Sequence, residues 1–160
     1  MSQQQPSPEE LATCQRRIAA RANNKAWELS EKLNRTPAED QEMLHAAHAA
    51  MHLWSIVGNE NNKAHAEQLL AHVYALHGDA TRAEQYFQGP RAFFASGQCE
   101  AWEVAISRTI AANVAACVGD VGEHKTLYLE AASLIAALPG AEDREILLAT
   151  LRVVPIPQGT

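Results

Sequence analysis

An all-α fold, built as a stack of antiparallel helix hairpins with no sheet, is what this 160-residue sequence predicts. Three observations carry the prediction. Apolar residues recur every three to four positions along the chain, and no stretch sustains a two-residue alternation. Start signals precede the patterned segments: Ser7-Pro8-Glu9-Glu10 and Thr36-Pro37-Ala38-Glu39 each set a capping box around a proline at the first helical position. Stop signals follow them at Gly58, Gly78, Gly97, Gly119 and Pro139-Gly140.

These signals place helices near 8–34, 37–57, 61–77, 80–95, 98–118, 121–137 and 141–151. The first carries Leu11, Ile18, Ala22, Leu29 and Leu33 on one stripe, and the second Met43, Leu44, Ala47, Met51 and Trp54. On the third, Leu70, Ala71 and Tyr74 lead into Gly78. Asp79 opens the fourth, with Ala83 and Phe87 as its contact residues and Pro90 expected to kink or break it near 88–90. The fifth repeats Ile106, Ile110, Asn113 and Cys117 at helical spacing. Asp120-Val-Gly-Glu123, a weaker box, starts the sixth, with Leu127, Tyr128, Ala131 and Ile135. Short connections force antiparallel neighbours, giving three hairpins and a terminal cap. One helical domain over 7–152 is expected, between a disordered 1–6 and a C-terminal tail over 153–160 that is loose from Pro155.

The spacing Leu70, Ala71, Tyr74, Gly78, Asp79, Ala83, Phe87 resembles a tetratricopeptide-type helix pair, with large and small contacts before a turn and small and aromatic ones after it. A second copy follows 41 residues on, at Gly119-Asp120, longer than the usual repeat of about 34. There Ala111 and Ala112 take the Leu70 and Ala71 places and Tyr128 that of Phe87, while Ala115 replaces Tyr74 and His124 replaces Ala83. The chain thus resembles the tetratricopeptide-repeat-like superfamily over residues 40–138. More narrowly, His45-Ala-Ala-His48-Ala, Trp54, Val57-Gly58, Val73-Tyr74-Ala75 and the closing Glu142-Asp143-Arg144-Glu145 are similar to a small group of uncharacterised bacterial proteins. That resemblance implies a right-handed helical stack and partner binding, and supplies no catalytic residue.

Composition narrows the function classes. Alanine dominates the apolar 47%, which favours close helix packing. No apolar run approaches a membrane span, and the start lacks the basic and apolar regions of a signal peptide. Cys14, Cys99 and Cys117 lack CxxC spacing and read as reduced thiols in a cytoplasm. The net charge of −6 conceals a basic strip: residues 16–35 carry a local +4, and the remainder −10. On one continuous helix, Arg17, Arg21, Lys25, Lys32 and Arg35 would share an arc of about 80°. A docking strip for an acidic protein or nucleic acid is the functional reading. A solvated face is the plainer one, favoured because no aromatic residues interleave the strip.

Six of the seven histidines, at 45, 48, 52, 65, 72 and 77, lie on two consecutive helices. His45, His48 and His52 share an arc of about 60° on the second helix. A tight turn at 58–61 would bring His48 to His72 and His52 to His65. Glu42 precedes His45 at the carboxylate–histidine spacing of helical di-metal sites. Zinc or iron binding, pH-sensitive association and a hydrogen-bonded polar seam through Gln68 all remain open. There is no Gly-rich phosphate loop, GxSxG or HExxH motif. The expectation is a non-enzymatic interaction module without a cofactor, metal being the alternative. Its groove would run along the first helix of each pair, with His65, Gln68, His72, Arg108 and Asn113 exposed to a peptide partner. A homodimer is expected, and neither membrane nor nucleic-acid binding is.

Overall fold

The computed structural model describes residues 5–159. Its helices are α1 (Pro8–Ser30), α2 (Pro37–Val57), α3 (Glu60–Leu76), α4 (Ala80–Phe94), α5 (Ala101–Val118), α6 (Val121–Ala136) and α7 (Ala141–Leu151). Among the described residues there is no strand, and no helix is long and apolar enough to cross a membrane. Residues 1–4 of the expected disordered start lie outside the described residues.

Caps set the boundaries. Ser7 and Thr36 each accept the backbone N–H of the third helical residue, Glu10 or Glu39, whose carboxylate accepts the cap's own N–H in return. Gly78 and Gly119 sit in the left-handed region at φ +77 and +88, where a side chain would be strained. Each hands the chain to an aspartate. Asp79 Oδ1 accepts the Arg82 N–H and Asp120 Oδ1 that of Glu123, so one dipeptide closes a helix and caps the next.

The structure departs from the sequence expectation at the end of α1, at Pro90 and at the start of α5, which begins at Ala101 rather than 98. α1 stops at Ser30 rather than 34, because Arg35 folds back onto its open end: Nη1 donates to the carbonyls of Lys32 (2.7 Å), Ser30 (3.4 Å) and Leu29 (3.5 Å). α4 runs unbroken through Pro90, which is itself buried. Gly89 has no Cβ to clash with the proline ring, and Phe87 and Phe94 anchor the helix into the core on both sides. Burial of those rings outweighs the lost backbone hydrogen bond.

Hairpins α1–α2, α3–α4 and α5–α6 pack pairwise, as the short connections require. The odd-numbered helices also pack on one another in turn, α1 on α3, α3 on α5 and α5 on α7. The even-numbered ones make no comparable contacts among themselves. An inner layer that closes up while the outer one splays gives the stack a concave face along α1, α3, α5 and α7, a form compatible with the helical-repeat class. Alanine makes the close approach feasible: Ala26, Ala47, Ala71, Ala83, Ala112 and Ala131 are all fully buried, interleaved with Met43, Leu69, Leu70, Phe87, Ile110 and Ile135.

The expected loose tail is not loose. Val154 and Pro157 are buried, the Pro155 carbonyl accepts a hydrogen bond from His124 Nε2 at 2.8 Å, and Lys125 Nζ donates to the Gly159 carbonyl. His124, which departs from the small residue of the first repeat, thus joins Lys125 in binding the C-terminal segment to α6.

Candidate functional site

The concave face holds a cleft of about 610 Å³. Its walls are Trp27 on α1 and Glu31 at its C-terminal cap, Trp54 near the end of α2, His65 on α3, Trp102 on α5, and Ile146 and Thr150 on α7. All three tryptophans of the chain therefore face one space. Asn23, Asn61, Asn62 and Asp143 add polar groups, and among the described residues no lysine or arginine lines it. A volume of this size suits one large side chain or a short stretch of peptide. Ile146 is 54% exposed and Trp102 38%, so apolar wall is open to solvent.

Each tryptophan is held by a separate device. Trp102 stacks flat on the His65 ring, centroids 5.3 Å apart and planes 11° from parallel, while its Nε1 donates to Glu100 Oε2. Trp27 lies against the His72 ring at 5.9 Å. Trp54 ends α2 beside Gly58, where an added Cβ would lie 2.6 Å from the Trp54 carbonyl oxygen and 3.1 Å from its ring. Gly58→Ala is expected to displace that turn and destabilise the protein by about 2 kcal/mol, read from urea unfolding.

The two ring supports are themselves anchored. His65 Nε2 meets Glu103 Oε1 at 2.8 Å, and its Nδ1 accepts from Gln68 Nε2 at 3.0 Å. Glu103 Oε2 accepts the Glu100 N–H, and Asn61 adds a further hydrogen bond. Burial alone would raise the Glu103 carboxyl, but the bonds from His65, Glu100 and Asn61 together hold it below the usual range. Deeper down, Asn113 Nδ2 donates to His72 Nδ1 at 2.9 Å. His72 Nε2 and Gln68 Oε1, both buried, have no partner. With both nitrogens of His65 engaged, this network orients the aromatic wall.

These placements correct the sequence expectations. His48 does not reach His72; its Nε2 lies 2.8 Å from the Tyr74 hydroxyl, beside a Tyr74–Tyr86 stack. His52 is exposed rather than beside His65, and His45 and Glu42 are exposed as well. Among the described residues no three His, Cys, Asp or Glu side chains converge as a metal site. The histidines separate because His48 on α2 meets Tyr74 of α3, while His65 and His72 on α3 both turn to α5, at Glu103 and Asn113 two to three turns apart. Gln68, His72 and Asn113 are buried between α3 and α5, not exposed in the groove. Arg108 lies outside the cleft, paired with Glu130 of α6 at 3.4 Å. Of the expected groove residues, His65 alone lines the cleft.

The basic strip is divided too. Lys32 and Arg35 fall beyond the end of α1, so the five residues share no single helical face. Lys25 pairs with Glu28, Lys32 with Glu39 and Arg35 with Asp40, which leaves Arg17 and Arg21 as exposed cations on α1 without an ion pair. Arg35→Ala, which opens both the helix end and a half-buried pair, is expected to cost about 2 kcal/mol in urea unfolding, against under about 0.5 for Arg17→Ala or Arg21→Ala.

No protein-family model, curated protein or solved structure matches this chain.

Proposed function

We propose that this protein is a non-enzymatic binding module of tetratricopeptide-like type whose concave cleft receives a segment of another protein. What supports the role is the convergence of all three tryptophans on one solvent-open cleft of the inner helical layer. Large aromatic side chains with an apolar body and a polar edge are the residues that dominate recognition surfaces. Their supports, His65 and His72, are held in place by hydrogen bonds to Glu103, Gln68 and Asn113, which suits a preorganised surface.

Ile146 offers the cleanest test, since it lines the cleft and is already half exposed. Capture from native cell extract with the wild-type protein is compared with Ile146→Glu and with Leu129→Glu, an exposed position on α6 outside the cleft. A protein retained by wild type and Leu129→Glu but lost with Ile146→Glu supports the role. Retention unchanged by Ile146→Glu, or no retained protein, contradicts it.

A further inference from the structure

Two carboxylates, Glu31 at the C-terminal cap of α1 and Asp143 on α7, line the cleft among Trp27, Trp54 and Trp102, and among the described residues no lysine or arginine lines it to balance them. Thr150, also on the wall, approaches Glu31 through its hydroxyl at 3.5 Å, the long limit of a hydrogen bond. Arg152, at the end of α7, acts on Glu31 from outside the lining. Burial pushes the Glu31 carboxyl up, and the Thr150 bond and the field of Arg152 offset this only in part. A carboxylate taken from water without a full partner gains from an incoming cation. Indole faces attract the same kind of group, because the negative face of the ring system favours a cation laid over it.

Resting on the binding role above, we infer that the cleft recognises an arginine-bearing segment of a partner protein. The guanidinium combines the two features the walls call for: a flat, weakly hydrated face that stacks on indole and a fork of N–H donors that fits carboxylates. Asn23, Asn61 and Asn62 are placed around the same space, and their amides can meet the backbone of the segment. The chain as a whole carries −6, although the α1 segment that supplies one wall is locally basic.

The full chain, labelled with nitrogen-15, is titrated with three decapeptides of glycine and serine that differ only in three central residues: arginine, glutamate or norleucine. The indole N–H signals of Trp27, Trp54 and Trp102 report occupation of the cleft. The arginine peptide is expected to shift them, with affinity falling roughly tenfold in Glu31→Gln/Asp143→Asn and unchanged in the charge-matched Glu84→Gln/Glu130→Gln. The glutamate and norleucine peptides are expected to leave the signals in place. Equal binding by the norleucine peptide overturns the cation and leaves the binding role intact. An arginine peptide that binds the double cleft variant as well as wild type, or does not bind at all, also overturns the inference; the capture experiment decides the role separately. Concentration-dependent self-association that Arg17→Glu/Arg21→Glu abolishes would put a second copy in the cleft and overturn it as well.

Discussion

Lowering the pH from 7 to 4 is expected to remove several kcal/mol of stability, with His72 the largest single contributor. The side chain is completely buried. Its Nδ1 accepts from Asn113 Nδ2, and that nitrogen also faces the His72 carbonyl at 3.5 Å, which fixes it as the donor end of the amide. The one ring proton of His72 is therefore on Nε2. A second proton on Nδ1 would oppose a donor in a place water does not reach. Burial, with a smaller contribution from the Arg35 charge, holds the folded pKa down to about 3, against 6.5 for an ordinary histidine. Below pH 6.5 the unfolded chain takes a proton that the folded chain refuses. Stability therefore falls progressively from pH 6.5 toward 3 and is unaffected by this group above that window. Urea unfolding at pH 7.5, 6, 5 and 4 measures the slope. The double variant His72→Leu/Asn113→Leu, which removes both partners together, is expected to flatten it. A slope unchanged in that variant would mean that other groups drive the acid loss.

Glu103→Ala is expected to cost about 3 kcal/mol at pH 7, because it orphans the donors of His65, Asn61 and the Glu100 backbone at once. Glu103→Gln keeps an acceptor oxygen and is expected to cost about 1 kcal/mol. The alanine variant should also lose near-ultraviolet circular dichroism, since His65 no longer fixes the Trp102 ring. The ionised carboxylate is the stabilised form. Its contribution is present above the ordinary glutamate range and is lost as pH falls through the depressed folded pKa, below the range in which His72 begins to act. Urea unfolding with tryptophan spectra reads both effects. Equal costs for the alanine and glutamine variants would show that the hydrogen-bond acceptor is not what matters.

Much of the fold was legible because its signals are local. Ser7-Pro8, Thr36-Pro37, Gly78-Asp79 and Gly119-Asp120 each act within one turn of helix; the structure starts a helix at all four and ends one at the two Gly-Asp pairs. Arg35 was harder to read, since its partners are the carbonyls of the very residues it was assumed to extend. Pro90 was misleading because the tertiary packing of Phe87 and Phe94 overrides a local rule.

The candidate site was much less visible. Helical wheels describe one helix at a time, and the fate of each histidine depends on which neighbour its face meets. His65 meets Glu103 across 38 residues and His72 meets Asn113 across 41. Asn113 stands at helical spacing with Ile106 and Ile110, and a polar residue in such an apolar stripe is the mark of a buried amide with a distant partner rather than of an exposed groove residue. The tryptophans gave no comparable sign, because each falls at an ordinary position on its own helix. Three tryptophans in a chain with so few aromatic residues, and Asn61-Asn62 beside a cap, were the available hints.

Placing a photo-crosslinking amino acid at position 146, and in a parallel strain at 129, tests the cleft most directly. Both sites are about equally exposed, at 54% and 50%, and Ile146 alone of the two lines the cleft. Irradiation in living cells is expected to join position 146, and not 129, to a second polypeptide. Crosslinks at 129 with none at 146 would contradict the concave cleft as the place where a partner is held.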